Sequence, residues 1–292
     1  MGASHVRRVC MLLWISVNLR YNLQIEILHV LLTRGDNMDA TISKELVIMN
    51  FSHIYEEERF FQHEKVHWLD CTDMLGTDCY CADEAKEEIR NCIADIPVQG
   101  IHFIDSGNYH YVTEFWLEKI EAPFCLFVFD HHSDMEKPLF GDILSCGSWI
   151  LDVLEHNEMI QKVVLLGISK EQEALIDPKF QEKLICIDEQ EIKTQFFWKK
   201  LKAVHEEYPV YISIDKDVLT TEEIQTNWNQ GSMHFGELKK ILHILLSQCQ
   251  VIGIDICGEC TLTLDKLCDI ENNSRFNEKL MEFLQIEASD NK

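Results

Sequence analysis

Short apolar runs alternate with longer amphipathic stretches along most of this chain. Runs such as Cys125–Phe129 and Val210–Ile214 are continuously apolar, which is typical of strands that helices cover on both faces. Two longer stretches, Glu189–Glu206 and Phe235–Ser247, place apolar residues at three- and four-residue steps, as amphipathic helices do. The pattern predicts an α/β fold of three layers, with helices on both faces of a mainly parallel sheet of about eight strands.

Strands and helices alternate in this prediction. The predicted strands are Glu45–Phe51, Val66–Leu69, Gly100–Ile104, Cys125–Phe129, Val163–Gly167, Leu184–Ile187, Val210–Ile214 and Val251–Ile256. The predicted helices are Ala82–Ile93, Val112–Ile120, Trp149–His156, Glu189–Glu206, Phe235–Ser247 and one or two closing helices within Leu262–Gln285. No repeat, low-complexity segment or linker rich in proline and glycine interrupts residues 38–292, so we predict one domain there.

Residues 1–37 differ from the rest of the chain. The apolar run Val9–Leu19 follows Arg7 and Arg8, as in a signal peptide, but it is too short to span a bilayer. No small-residue cleavage site follows it. We interpret residues 1–37 as a poorly ordered N-terminal extension, which a misassigned start would explain because Met38 closely precedes the first predicted strand.

Composition narrows the classes of function. The formal net charge of -24 argues against nucleic-acid binding, because phosphates require a basic surface. An acidic protein could favour a cationic small molecule, although acidic surfaces mostly serve solubility. The twelve cysteines are scattered and several lie in apolar runs, which predicts reduced thiols in a cytoplasmic protein rather than a disulfide frame. We expect no membrane partner. The sequence is compatible with a homo-oligomer as well as with a monomer.

Metal-capable side chains follow three of the predicted strands. Ligands of parallel sheets bind outside the carboxyl ends of the strands, so these side chains are expected to meet at one edge of the sheet. The candidate ligands are His110 after Gly100–Ile104, then Asp130, His132 and Asp134 after Cys125–Phe129, and Asp215 and Asp217 after Val210–Ile214.

The spacing of these residues suits a pair of metal ions. Side chains at positions i and i+2 of a strand share a face and lie roughly 6.5–7 Å apart, so Asp215 and Asp217 could flank two ions about 3.5–4 Å apart. Asp130 and His132 could do the same, and Asp134 could join them if the chain turns back after His132. Mixed carboxylate and imidazole ligands suit Mn²⁺, Fe²⁺ or Zn²⁺, and the excess of carboxylates favours Mn²⁺.

The three segments resemble, in order and spacing, the signatures of the arginase/agmatinase (ureohydrolase) family. Asp130–Asp134 resembles its Asp-x-His-x-Asp signature and Ser213–Asp217 its Ser-x-Asp-x-Asp signature. Gly107–His110 lies where the family carries a Gly-Gly-x-His segment. The resemblance covers about residues 101–259. It implies the fold that arginases share with deacetylases, and hydrolysis of a C–N bond in a guanidino or amidino compound by a metal-bridging hydroxide.

The resemblance also implies roles for individual residues. Two Mn²⁺ ions per chain are expected, with Zn²⁺ or Fe²⁺ as alternatives. One ion would be held by His110, Asp130, Asp134 and Asp215, and the other by Asp130, His132, Asp215 and Asp217. Asp217 would orient the hydroxide and accept its proton, and Glu259 would be the second catalytic residue. The family's late glutamate grips the guanidinium, so Glu259 would contact a cationic small-molecule substrate. Independently of the resemblance, Ser148 and Trp228 are further candidate substrate contacts, and the segment of Trp228 would be either a pocket rim or a loop that caps the following helix.

Two departures from the family pattern keep alternatives open. No histidine occurs in Leu144–Trp149, where the family carries a proton-shuttle histidine. Glu259 comes one residue later than the family's glutamate, and a slip of one residue reverses the facing of a strand residue unless Gly258 turns the chain. The alternatives are an amide deacetylase-like metal hydrolase on the same fold, and a metal-binding protein without ureohydrolase activity.

Overall fold

One parallel sheet organises the part of the chain that the structure, a computed structural model, describes: residues 43, 45–138, 141, 143–194, 197 and 208–290. Its eight strands lie in the order β2-β1-β4-β10-β9-β5-β7-β8. The strands are β1 (Leu46–Asn50), β2 (Val66–Asp70), β4 (Ile101–Phe103), β5 (Phe124–Phe129), β7 (Ile160–Leu166), β8 (Leu184–Ile187), β9 (Val210–Asp215) and β10 (Val251–Cys257). Every pairing between these strands is parallel, so the predicted eight-stranded fold is confirmed.

Helices pack on both faces of this sheet. The described α-helices are α1 (Asp83–Ile93), α2 (Val112–Leu117), α3 (Trp149–His156), α4 (Lys170–Glu173), α5 (Phe235–Gln248) and α6 (Leu267–Asp290). The closing segment is one helix, α6. Most of the predicted helix 189–206, and the predicted extension at residues 1–37, lie outside the described residues. No described helix is both long enough and apolar enough to cross a bilayer.

The central strands are buried along their whole length. All six residues of β5 and all six of β9 are buried. Alternate side chains enter opposite cores, so Phe127 and Ile212 pack against α5 and α6, whereas Leu126 and Tyr211 pack against α1, α2 and α3. Burial on both faces explains why these strands read as continuous apolar runs instead of alternating ones.

A small antiparallel pair stands outside the main sheet and was not predicted. It joins β3 (Tyr80–Cys81) to β6 (Leu144–Ser145), with Tyr80 opposite Ser145. The amide of Cys146 donates to the carbonyl of Cys79 at 2.9 Å and extends the pair. Two-residue strands carry no hydrophobic period, so the sequence contains no signal for them.

The register of the central strands brings three chain segments to one edge. Phe129 of β5 pairs with Ile214 of β9, and Asp215 of β9 pairs with Cys257 of β10. Phe103, the last residue of β4, pairs with Ile256 of β10. The segments that follow β4, β5 and β9 therefore leave the sheet side by side, which is the arrangement that the candidate ligands require.

Candidate metal centre

The structure brings all six candidate ligands together at this edge. They form two overlapping groups, one of His110, Asp130 and Asp134, and one of Asp130, His132 and Asp217. Within each group the donor atoms lie within 4.8 Å of one another. Asp215 joins His110 in a third group. Within the described part of the chain, the first two of these groups have Asp130 in common.

The first group is centred on the Nδ1 atom of His110. This atom lies 3.1 Å from Asp130 Oδ2, 3.0 Å from Asp134 Oδ2 and 3.7 Å from Asp215 Oδ2. It is buried and makes no well-aligned hydrogen bond with the described residues. A buried nitrogen that faces three carboxylate oxygens without such a bond fits a metal ligand, because ligands that share one ion lie roughly 3–3.7 Å apart.

Asp134 reaches this group because the chain turns back after β5. Its backbone adopts the left-handed region at φ 48°. Asp residues tolerate this region better than most others do. The indole nitrogen of Trp149 then donates to Asp134 Oδ2 at 2.6 Å and holds the carboxylate toward His110. The turn that the sequence required for Asp134 is thus present.

The second group surrounds His132. Its Nδ1 atom lies 2.8 Å from Asp217 Oδ2 and 3.6 Å from Asp130 Oδ1. Backbone amides fix the carboxylates, because His132 N donates to Asp130 Oδ1 at 2.6 Å and His131 N donates to Asp217 Oδ1 at 3.1 Å. The amide of Asp217 donates to Asp215 Oδ1 at 2.9 Å. The tight turn after β9 therefore directs the carboxylates of Asp215 and Asp217 toward the candidate metal centre.

Crowding of buried carboxylates makes the centre electrostatically unfavourable without a cation. Burial raises the pKa of Asp215 to about 7, and the charges of Asp217 and Asp130 add to the effect. Burial and Asp130 likewise raise the pKa of Asp217 to about 6. Burial lowers the pKa of His110, but the adjoining Asp130 and Asp134 carboxylates outweigh it and hold that pKa well above its usual value. Divalent ions would offset this excess of negative charge, so the donor set fits them.

Ser213 on β9 orients His110 from behind. Its hydroxyl lies 2.9 Å from His110 Nε2, the ring nitrogen that faces away from the carboxylates. Groups that hold the second nitrogen of a histidine ligand typically affect metal affinity 10–100-fold. We expect Ser213→Ala to weaken binding of the ion at His110 by about 10-fold, as measured by competition with a chelator. Ser232→Ala, which removes a hydroxyl bonded to Glu189, is the control and should leave affinity unchanged.

A cavity of about 240 Å³ opens above the two groups. Its wall includes Trp228, whose ring centroid lies 5.8 Å from that of His132. Ser148 lies beside the wall but is buried, and its hydroxyl accepts a hydrogen bond from Ser145 N at 3.1 Å. The lining residues are Cys79, Tyr80, Gly107, Asp130, His132, Ser133, Asp134, Glu136, Ser145, Cys146, Gly147, Gln172, Asp215, Asp217 and Trp228.

Glu259 is not brought to the cavity. It is fully buried and forms an ion pair with Lys216, which is equally buried. Asn277 Nδ2 donates to Glu259 Oε1 at 2.8 Å and Asn273 Nδ2 lies 3.3 Å from Glu259 Oε2. Gly258 turns the chain at φ 95°, and the glutamate lies behind the β9 turn instead of facing a substrate. The expected substrate contact through Glu259 therefore has no support in this geometry.

Gly258 packs directly behind a candidate ligand. A Cβ atom there would lie 2.5 Å from Asp215 Oδ1 and 2.8 Å from Lys216 N, and its φ of 95° is unfavourable for other residues. We expect Gly258→Ala to displace Asp215, to weaken metal binding and to lower the free energy of unfolding by about 1–3 kcal/mol or more. Chelator competition and urea denaturation measure the two effects. Gly236→Ala is the control, because nothing lies within 4 Å of its Cβ position.

The sequence analysis missed Cys257 at this centre. The thiol lies 3.3 Å from Asp215 Oδ2 and forms a potential ligand group with His110 and Asp215. Its pairing with Asp215 across β9 and β10 depends on the register of two strands far apart in sequence. The only local signal was its place at the end of an apolar run, and that signal did not separate it from a structural thiol.

Comparison with known proteins agrees with this geometry. The model of the arginase family matches residues 41–266. An uncharacterized protein of Thermotoga maritima is 34% identical over 219 residues, which cover 75% of this chain and 81% of that protein.

Solved structures of ureohydrolases share the fold. Formimidoylglutamase of Bacillus subtilis has a TM-score of 0.60 at 15% identity, covering 86% of this chain and 93% of that chain. Agmatine ureohydrolase of Thermoplasma volcanium has a TM-score of 0.59 at 15% identity, and the match covers 88% of this chain and 96% of that chain. Formiminoglutamase of Trypanosoma cruzi with Mn²⁺ has a TM-score of 0.59 at 10% identity, and the match covers 82% of this chain and 92% of that chain. The family match over most of the chain, the fold and the clustered acids and histidines lead to one conclusion: this chain belongs to the arginase family.

Proposed function

We propose that the protein is a binuclear metal-dependent hydrolase that cleaves a C–N bond in a cationic guanidino or amidino small molecule. The observation that carries the proposal is the pair of donor groups that share Asp130. Two groups with a common carboxylate are the arrangement by which a protein holds two ions close together. We further propose Mn²⁺ for the group of Asp130, His132 and Asp217, because its donors are two carboxylates and an imidazole, whereas the thiol of Cys257 lies with His110 in the third group. The cytoplasm remains our proposed location.

Each residue of the centre would have its own role in the reaction. When bound, two divalent ions would lower the pKa of a shared water, so that hydroxide is available near neutral pH. Asp130 and Asp215 would hold the ions in common, and His110 and Asp134 would complete one side. Asp217 would orient the attacking water and receive its proton on the carboxylate.

The wall of the cavity favours a positively charged substrate. Among its described residues there is no lysine or arginine, whereas Glu136 adds a carboxylate to the wall. Tyr80 and Trp228 expose aromatic faces, each with 41% of its surface accessible. Aromatic faces and carboxylates both attract a delocalised cation such as guanidinium. With Glu259 buried behind the β9 turn, the wall residues are the ones available to bind the substrate.

A substrate panel tests the proposal. Protein loaded with Mn²⁺ is assayed for release of urea, amine or ammonia from guanidino, amidino and formimino compounds, with acetylated amines as a separate arm. We expect turnover of at least one compound of the first three classes, and none by Asp130→Asn. Turnover of acetylated amines alone would support the deacetylase-like alternative. Metal binding without turnover of any compound would support a binding protein and contradict the proposal.

A further inference from the structure

Cys257 would add a thiol, a third kind of donor, to the carboxylates and imidazoles of the centre. It ends β10, it is 1% exposed, and it pairs in register with Asp215 on β9. Its Sγ atom lies 3.3 Å from Asp215 Oδ2, the oxygen that also faces His110. The donor atoms of Cys257, His110 and Asp215 all lie within 4.8 Å of one another. Neither Asp130 nor Asp134 belongs to this group, so the sulfur would reach the ion at His110 from the side of Asp215.

The distances suit ligation. Metal–sulfur bonds are about 2.3 Å long and metal–oxygen bonds about 2.0–2.2 Å, so two such ligands at angles between a right angle and the tetrahedral angle lie roughly 3.0–3.7 Å apart. The separation of 3.3 Å between Cys257 Sγ and Asp215 Oδ2 agrees with this geometry. The separations from His110 Nδ1 to the Asp130 and Asp134 oxygens, 3.1 and 3.0 Å, meet the same condition.

The two proposed sites differ in softness. The described donors of the second group are the carboxylates of Asp130 and Asp217 and the imidazole of His132, without a sulfur atom. Thiolate ligands select metals such as zinc and copper(I), whereas carboxylates suit manganese and magnesium. A sulfur ligand on one side of the centre would therefore make the two sites prefer different metals.

We propose that Cys257 ligates the ion at His110 as a thiolate and makes the centre a mixed one, with a borderline-soft ion such as Zn²⁺ at His110 and Mn²⁺ at His132. This inference rests on the proposed two-metal function. The S–H bond breaks as the metal–sulfur bond forms, and the proton leaves to the solvent, so loading releases a proton. The competing arrangement is a neutral thiol that only donates a hydrogen bond to Asp215.

Cobalt loading separates the two arrangements. A thiolate bound to Co²⁺ gives a sulfur-to-metal charge-transfer band in the near ultraviolet, whereas a hydrogen-bonding thiol gives none. The wild-type protein is expected to show the band. Cys257→Ser keeps a hydrogen-bond donor of similar size without sulfur, and should lose the band. Cys146→Ser is the matched control, since Cys146 lines the same cavity but belongs to no ligand group, and it should keep the band.

Metal competition provides a second readout. We expect Cys257→Ser to lower the preference for Zn²⁺ over Mn²⁺ at the first site at least about 10-fold relative to the wild-type protein, and to leave the preference of the second site unchanged. Should the variant fail to fold, X-ray absorption on wild-type protein still tests for a metal–sulfur distance of about 2.3 Å.

The outcomes distinguish the two proposals. Two bound ions without a charge-transfer band or a metal–sulfur distance would overturn ligation by Cys257 and leave the two-metal function intact. Fewer than two ions per chain would contradict the proposed function itself.

Discussion

Replacing Asp130 with asparagine is expected to remove metal from both sites and to lower hydrolysis by roughly 10³-fold or more. Asp130 is the residue that the two donor groups share, with Oδ2 3.1 Å from His110 Nδ1 and Oδ1 3.6 Å from His132 Nδ1. The substitution keeps the size of the side chain but removes the charge that both ions require. Elemental analysis and the rate of product release on the best substrate measure the two effects.

Glu136→Gln is the matched control for this substitution. It removes one negative charge from the same cavity, but Glu136 belongs to neither donor group. We expect it to keep two ions per chain and to change mainly the affinity for the substrate. If Asp130→Asn kept both ions and most of its activity, the assignment of the metal centre would be wrong.

Lys216→Met is expected to cause the largest loss of stability, about 3–5 kcal/mol. Lys216 is fully buried and forms an ion pair with Glu259, and Asn277 donates hydrogen bonds to the carboxylates of both Glu259 and Glu58. Burial and the charge of Glu259 raise the pKa of Glu58 well above its usual value. Loss of the ammonium would leave Glu259 buried without a counter-charge. Urea denaturation monitored by circular dichroism measures the change.

A double variant tests the cause. Adding Glu259→Gln to Lys216→Met removes the isolated charge, so most of the lost stability should return, because removing both members of a buried pair costs far less than removing one. A loss below about 1 kcal/mol for Lys216→Met, or no recovery in the double variant, would contradict a structural role for the pair. Because Glu259 lies away from the cavity, Glu259→Gln should affect stability more than substrate affinity.

The sheet could be predicted from sequence because its strands are buried on both faces. Continuous apolar runs such as Phe124–Phe129 and Val210–Ile214 are distinctive, and parallel strands place the residues that follow them at one edge. That rule, with spacings of two residues, was enough to expect that Asp130, His132 and Asp217 lie together. The antiparallel pair of β3 and β6 was missed because strands of two residues have no period.

The parts that were not predicted depend on contacts between distant segments. Lys216 and Glu259 are 43 positions apart, and the sequence does not show that one neutralises the other in the interior. Gly258 was recognised as a possible turn, but its conformation decides where Glu259 points only in the folded chain. Cys257 reaches Asp215 only through the register of β9 and β10.

The most direct test of the central claim is anomalous scattering from crystals of the protein loaded with both Zn²⁺ and Mn²⁺. The account predicts two peaks about 3.5–4 Å apart, one beside His110 and Asp134 and the other beside His132 and Asp217, with Asp130 between them. A single peak, or no peak within these two donor groups, would contradict a binuclear centre.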